Sequence, residues 1–178
     1  MEKEELLHRQ NKMLSCLIGL PKKILSLHGR DNITEFVLHD LCQEDCFNLR
    51  RAAYFVNNPD FNCLKGVAGI SLPDVPQGLW EDIWRQGEMF STYMRNSPFN
   101  RAVRGVSQCS MQKTELQEGD LVKEVARKLG IERPSFHSVD MKHDNHGLFI
   151  FEKSNQDDGS IDRHLQNGAS MLGFCPVF

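Results

Sequence analysis

The apolar positions of the first forty residues recur at the spacing of amphipathic helices. Over residues 2–19 they fall three or four positions apart, and acidic residues occupy the first turn, where the helix dipole favours them. The apolar positions are Leu6, Leu7, Met13, Leu14, Leu17 and Ile18. We expect this helix to end before Pro21, a short helix to follow over residues 22–27, and a further helix to cover residues 32–41.

The pattern changes after residue 48, where short apolar runs alternate with turn residues. Residues 52–56 and 67–70 are predicted strands, separated by the turn-forming residues 57–60. A helix is predicted over residues 79–94, because Trp80, Ile83 and Trp84 have the spacing of one helical face. Residues 96–119 lack a clear period and are predicted to be loop-like, with one short strand near residues 103–106.

The C-terminal half contains one strong helix pattern and one strong strand pattern. Residues 120–129 form a single apolar stripe followed by Gly130, which suits the left-handed residue that ends a helix. Residues 148–151 are aromatic and β-branched, as in a buried strand. We therefore expect an α+β fold over one globular domain, residues 1–178, with a helical N-terminal region and several helices packed on a small antiparallel sheet from residues 48–71 and 135–152.

Composition narrows the classes of protein that fit this pattern. Hydrophobic residues make up 40% of the 178 residues and charged residues 25%, which predicts a folded, soluble chain. The net charge of −3 provides no global attraction to nucleic acid or acidic lipid. The longest apolar runs are too short to span a membrane, and acidic residues precede the run at 13–20 where a secretory signal carries basic ones. We expect a cytoplasmic protein with reduced thiols and no membrane partner.

Residues 122–141 resemble a helix-turn-helix motif, which pairs a small residue, a turn glycine and apolar contact positions. The matching residues are Ala126, Gly130, Ile131, Phe136 and Val139. The resemblance implies a nucleic-acid partner and a strand at 148–151 as a wing. The basic residues that would contact phosphate are Arg127, Lys128, Arg133 and Lys142. Pro134, Asp140 and Asp144 depart from the motif, and an ordinary helix capped by Gly130 explains the same pattern.

Two groups of residues have the ligand types of a zinc or iron site. The first is a cluster of imidazoles and carboxylates: His137, Asp140, His143, Asp144 and His146. The second is Cys42 and Cys46 with the more distant Cys63. A solvated turn is the favoured explanation of the first group, and buried inert thiols are the favoured explanation of the second, which lacks a second ligand pair.

No complete catalytic set can be written from the sequence, since the phosphate-binding loop, dinucleotide-binding and nucleophile-elbow motifs are absent. Arg95, Arg101 and Arg104 are close together in sequence and could contact an anion. The resulting hypothesis is a non-catalytic binding or regulatory protein with a protein or nucleic-acid partner. A metal-binding protein or metal-dependent enzyme is one alternative. A protein-interaction module with an exposed apolar patch is another.

Overall fold

The computed structural model describes residues 2–27, 29–58, 63–76, 82–109, 115–141, 145–154 and 159–176. Within these residues the helices are α1 (Glu2–Ser26), α2 (Ile33–Cys42), α3 (Gly87–Asn96), α4 (Pro98–Arg104), α5 (Glu115–Leu129) and α6 (Gly159–Ser170). The strands are β1 (Leu49–Asn58), β2 (Cys63–Ser71), β3 (Ser107–Cys109), β4 (Ser135–Asp140) and β5 (His146–Lys153). Short 3-10 turns cover Leu72–Asp74 and Met171–Phe174.

The strands form one antiparallel sheet in the order β3-β2-β1-β5-β4. β1 lies in the centre, pairing Tyr54 with Ala68 of β2 and with Phe149 of β5. Helices cover both faces, so the chain has the expected α+β class with a helical N-terminal region. Four strands of the antiparallel sheet come from the two predicted regions, and β3, at one edge, lies outside them.

The two faces of the sheet carry separate apolar cores, because side chains alternate along each strand. In β5, Phe149 and Phe151 belong to the core formed with α1, α2, α3 and α6, which we call the α1/α2 core. Leu148 and Ile150 belong to the core formed with α4 and α5, which we call the α5 core. The alternation explains why residues 148–151, in the middle of β5, are apolar at every position.

A β-bulge in β2 changes which residues face each core. The pairing with β1 passes from Ala68 directly to Gly66, so Val67 is the extra residue. Leu64 and Ala68, four positions apart, consequently lie in different cores. A regular strand would have placed them on the same face.

The first helix continues through Pro21, which corrects the expected break. Leu17, Leu20 and Ile24 are all buried against α2 and the sheet, so packing continues on both sides of the proline. Pro21 itself is exposed, on the outer face of the helix. Burial of one apolar face therefore outweighs the lost backbone hydrogen bond.

The predicted helix over residues 79–94 begins later, at Gly87, and ends at Asn96. Residues 77–81, including Trp80, lie outside the described residues, and Ile83 and Trp84 lie in a turn. The region predicted to be loop-like contains α4, whose start is fixed by two local features. The Ser97 side chain accepts a hydrogen bond from the Asn100 backbone N–H, and Pro98 occupies the first helical position.

The second helix of the helix-turn-helix interpretation is absent, because residues 135–140 form strand β4. The first helix, α5, and its glycine cap are confirmed, with Gly130 at φ +67°. After that cap, however, β4 pairs residue by residue with β5, placing Phe136 opposite Ile150 and Val139 opposite Gly147. Strand pairing therefore uses the apolar positions that the motif assigned to a helix.

Helix α4 packs directly on the backbone of β2. A Cβ atom on Gly66 would overlap the Val103 carbonyl group, and one on Gly69 would overlap the Val103 side chain. The two glycines thus allow an approach that other residues would prevent. Across the described residues, none of the helices is both long enough and apolar enough to cross a membrane.

Candidate functional site

A carboxylate lies buried in the first turn of α2. Only 4% of the Glu35 side chain is exposed. Its Oε1 accepts a hydrogen bond of 2.7 Å from Asn100 Nδ2, and its Oε2 accepts one of 3.0 Å from Asn32 Nδ2. The Arg104 guanidinium lies 3.6 Å from Oε1. Because both oxygens have donors, the carboxylate is held in one orientation.

Asn100, fully buried in α4, links α3 and β2 to Glu35. Its Nδ2 also donates to the Met94 carbonyl at 2.9 Å, and its Oδ1 accepts from the Gly69 backbone N–H at 2.9 Å. Every hydrogen-bonding atom of the amide is thereby used, which fixes α4 relative to α2, α3 and β2. The result is a rigid polar floor beneath a surface cleft.

This cleft, which we call the arginine cleft, has a volume of about 590 Å³. It is lined by Gly29, Arg30, Asp31, Asn32, Glu35, Glu88, Ser91, Arg95 and Arg104. Asn32 Nδ2 also donates to Ser91 Oγ at 2.8 Å, and Arg30 pairs with Glu88 at 2.8 Å across the rim. The volume lies within the range of typical small-molecule sites.

Among the three arginines of the arginine cleft, Arg95 and Arg104 are the best placed to contact a ligand. Arg95 is exposed and has no ion-pair partner in the part of the chain that the structure describes. Arg104 is 57% exposed and contacts Glu35 only at 3.6 Å. A smaller neighbouring cavity of about 180 Å³ shares Glu35 and Arg104 and adds Lys65. The cations surround the buried carboxylate, and a guanidinium group can bind an anion through two parallel hydrogen bonds.

The arrangement is suited to recognition. Besides Gly29, the described residues that line the arginine cleft are arginine, aspartate, asparagine, glutamate and serine, all of which can form hydrogen bonds with a polar ligand. Both Glu35 oxygens already accept hydrogen bonds within the protein. Of the three arginines noted in the sequence, Arg95 and Arg104 line the cleft, whereas Arg101 is exposed outside it.

The basic residues assigned to nucleic-acid binding lie around the end of α5. Arg127, Lys128 and Arg133 are exposed, and Lys142 lies outside the described residues. Lys128 pairs with Glu124 at 2.8 Å, which offsets part of its charge. A role for these residues in nucleic-acid binding stays a prediction.

The histidines assigned to a metal site lie on β4 and β5. His137 stacks on Phe151 with ring centroids 5.5 Å apart, and His146 Nδ1 lies 3.2 Å from Asp140 Oδ1. His143 is outside the described residues. Across the described chain, no three His, Cys, Asp or Glu side chains converge in a geometry suited to a metal ion.

The cysteines assigned to a metal site are distributed over two regions. Cys42 and Cys46 are buried in the α1/α2 core, at the end of α2 and in the turn that follows. Cys63 begins β2 and contacts Ser107 Oγ at 3.8 Å. These three thiols form no metal-binding group. With His143 outside the described residues, a zinc or iron site at residues 137–146 stays a prediction.

The sequence interpretation missed Glu35, Asn32 and Asn100, the residues that form the floor of the cleft. A charged residue in the otherwise apolar stretch of α2 was one available signal, since α2 is buried almost throughout. The pair Ser97 and Pro98 was another, because it indicates the start of a helix containing Asn100.

Helix α1 carries several exposed apolar residues of the kind that an interaction module would use. The exposed large apolar residues of α1 are Leu6, Leu7, Leu14, Ile18 and Leu25. Leu7, Leu14, Ile18 and Leu25 form a stripe beside the buried face of the helix, whereas Leu6 lies in line with the buried Met13 and Leu20. The interaction-module hypothesis stays a prediction.

Comparison with known proteins supplies no family for this chain. Neither a protein-family model nor a curated protein matches it. Among solved structures, one that resembles it is SdiA in complex with octanoyl-rac-glycerol, with 17% sequence identity and a TM-score of 0.40. The match covers 87% of this chain and 62% of that chain, so this chain spans less than two thirds of the other. A likeness of this degree supports no conclusion about function.

Proposed function

We propose that the protein is a non-catalytic binding protein that holds a small polar ligand with an anionic group in the arginine cleft. The observation that carries the proposal is a cleft of about 590 Å³ in which Arg95 and Arg104 stand over a buried, fully hydrogen-bonded floor. Such a floor does not need to reorganise when a ligand binds, which favours affinity.

The charges of the cleft indicate what the ligand carries. Three arginines and three acidic residues line it, so the lining is close to neutral. Arg30 is already paired with Glu88, and Asn100 and Asn32 hold Glu35, which leaves Arg95 and Arg104 for an anion. A carboxylate or phosphate on the ligand would meet these two groups, while its hydroxyl or amino groups would face Ser91 and the carboxylates.

The nucleic-acid alternative receives less support. It depends on Arg127, Lys128 and Arg133, of which Lys128 is paired, and the recognition helix it needs is replaced by β4. Backbone phosphate contacts usually require several unpaired cations on one surface. The small-ligand proposal uses a concave site and is therefore preferred.

A thermal-shift panel tests the proposal. The probes are inorganic phosphate, succinate, free amino acids and a nucleoside monophosphate, each at millimolar concentration. We expect at least one to raise the Tm of the wild type, because a ligand that binds only the folded state stabilises it. The double variant Arg95→Ala, Arg104→Ala should lose the shift, with affinity by calorimetry weakened at least about tenfold.

The matched control is Arg101→Ala, which removes an exposed arginine outside the arginine cleft from α4, the helix that also carries Arg104. It should respond to the probe like the wild type. If no probe raises the Tm, or if the double variant responds equally, the proposed function is wrong. Circular dichroism of each variant separates lost binding from lost folding.

A further inference from the structure

A second cleft, of about 600 Å³, lies beside α2 near its C-terminal end, and we call it the thiol cleft. It is lined by Cys16, Lys23, His39, Asp40, Gln43, Glu44, Asp45, Cys46, Asp82, Ile83 and Trp84. These residues come from α1, from α2 and the turn after it, and from the turn that precedes α3. The proposed ligand-binding function does not use this cleft.

The floor of the thiol cleft is the largely buried carboxylate of Asp40. Its Oδ2 accepts hydrogen bonds from Lys23 Nζ at 2.7 Å and from Trp84 Nε1 at 3.0 Å. His39 Nδ1 lies 3.6 Å from Oδ1, and the Lys23 ammonium also lies 5.5 Å from the centre of the Trp84 ring. A positive charge is therefore held at a defined place in the cleft.

Two thiols meet at the same place. Cys16, on α1, is half-buried, whereas Cys46 is 1% exposed, and both thiols line the thiol cleft close enough for each to change the pKa of the other. Cys16 Sγ also lies 3.9 Å from the Asp40 carbonyl oxygen. The turn that carries Cys46 is fixed by hydrogen bonds from the backbone N–H groups of Cys46 and Asn48 to the Gln43 carbonyl, at 3.0 and 2.9 Å.

The environment differs for the two sulfur atoms. The neighbouring Cys46 thiol lowers the pKa of Cys16 below its ordinary value, outweighing burial, and the charge of Lys23 acts in the same direction. The neighbouring Cys16 sulfur and burial raise the pKa of Cys46. Cys16 is therefore both the more accessible thiol of the two and the one that loses its proton more readily. An accessible thiol of lowered pKa beside a second thiol is the arrangement of redox-reactive cysteine pairs.

We propose that the thiol cleft is a site of reversible oxidation, at which hydrogen peroxide converts Cys16 and Cys46 into an intramolecular disulfide. The Cys16 thiolate attacks one peroxide oxygen, the O–O bond breaks, and the departing hydroxide takes a proton from solvent to become water. Cys46 Sγ then attacks the sulfenic sulfur of Cys16, its proton leaves with the hydroxyl group as water, and the S–S bond forms. Overall, two thiols are oxidised and one peroxide is reduced to two water molecules.

The other cysteines with described side chains lack this combination. Cys42 is fully buried, and burial raises its pKa. Burial raises the pKa of Cys175 to about 11. Cys63 is half-exposed and contacts a serine hydroxyl, which makes it a suitable reference thiol. Selective oxidation at Cys16 is therefore expected before oxidation at these positions.

The experiment uses the reduced full chain, hydrogen peroxide at one to ten equivalents, alkylation of the remaining thiols, and non-reducing peptide mapping. We expect a cross-linked peptide pair two hydrogens lighter than the reduced peptides. Fragmentation between Cys42 and Cys46 assigns the second sulfur to Cys46. Dithiothreitol should reverse the cross-link. In Cys46→Ser, dimedone should label Cys16 as the trapped sulfenic acid.

Two further variants keep the proposal testable if Cys46→Ser folds poorly. Lys23→Met should slow the oxidation of Cys16 about threefold or more and shift the pH midpoint of its alkylation upward, because a nearby positive charge is lost. Cys63→Ser should form the cross-link at the wild-type rate. Oxidation of Cys63 ahead of Cys16, or a cross-link that does not join Cys16 to Cys46, would overturn the proposal. Probe binding in the arginine cleft is a separate readout, so either proposal can fail alone.

Discussion

The arginine cleft and the thiol cleft are built around the same helix yet hold their carboxylates by different means. Their volumes are nearly equal, about 590 and 600 Å³, and each has a buried acid from α2 as its floor, Glu35 in one and Asp40 in the other. Neutral amides of Asn32 and Asn100 hold Glu35. An ammonium group and an indole N–H hold Asp40.

The difference shows how the partner of a buried acid decides what a cleft can do. Amide donors at 2.7 and 3.0 Å satisfy Glu35, and the Arg104 guanidinium contacts it only at 3.6 Å, so Arg95 and Arg104 stay available to a ligand. In the thiol cleft, Lys23 is committed to Asp40, and its remaining influence acts on the sulfur of Cys16. We therefore assign the proposed ligand binding to the arginine cleft and the proposed sulfur chemistry to the thiol cleft.

The largest stability effect is expected from Asn100→Ala. The substitution leaves Glu35, the Gly69 N–H and the Met94 carbonyl without their buried partner, and we expect a loss of about 3 kcal/mol in the free energy of unfolding. Urea denaturation measures it. The control, Asn96→Ala, removes an exposed amide bonded to the Thr92 carbonyl and should change stability by about 0.5 kcal/mol or less. A loss from Asn100→Ala as small as that of the control would mean that the amide network does not fix the arginine cleft.

A smaller, pH-dependent effect is expected from Asp40→Asn. Burial acts to raise the pKa of Asp40, but the interactions with His39 and Lys23 prevail and leave the pKa below its ordinary value. A lowered pKa stabilises the folded state above the unfolded pKa, near about 3.9, and this contribution disappears as the pH falls through the folded pKa.

Wild type should therefore exceed Asp40→Asn in stability by about 2 kcal/mol at pH 7, and the difference should narrow below about pH 4. Denaturation curves at both pH values provide the measurement. Glu44→Gln, which alters an exposed carboxylate of the same cleft, should show no such narrowing. A difference that stays constant with pH would show that the charge of Asp40 is unimportant to the fold.

The smallest effects are expected from the cations. Lys23→Met should cost about 1 kcal/mol, because Lys23 contacts both Asp40 and the Trp84 ring, although it is 43% exposed. Arg104→Met should cost about 0.5 kcal/mol or less, because its contact with Glu35 is long and exposed. A larger loss of stability from Arg104→Met than from Lys23→Met in thermal denaturation would contradict the idea that Asp40 depends on its cation and Glu35 does not.

Much of the fold was accessible from periodicity alone. The apolar runs at residues 52–56 and 148–151 became the central strands β1 and β5, and the stripe at 120–129 became the C-terminal part of α5. The errors arose where tertiary contacts decide the outcome. Pro21 lies inside α1 because the opposite face is buried, and residues 135–140 are a strand because β5 offers a pairing edge.

The candidate site was less accessible, for a different reason. Arg95 and Arg104 were recognised as a possible anion site from their proximity in sequence, but Asn100 looks like any loop asparagine. Its role depends on Gly69 and Glu35, which lie 31 and 65 positions away along the chain. Similarly, nothing in the sequence indicates that Cys16 meets Cys46 instead of Cys42. Long-range packing brings these groups together, and local sequence patterns do not reveal such packing.

The backbone contact between α4 and β2 has a consequence for how such a cleft changes over evolution. Gly66 and Gly69 determine how deeply α4 is seated, and α4 carries both Asn100 and Arg104. A single methyl group added at Gly66 or Gly69 would displace α4 as a unit and would therefore move Asn100 and Arg104 together. If the arginine cleft binds a ligand as proposed, its preference can thus change through Gly66 and Gly69, which have no side chain that could contact that ligand.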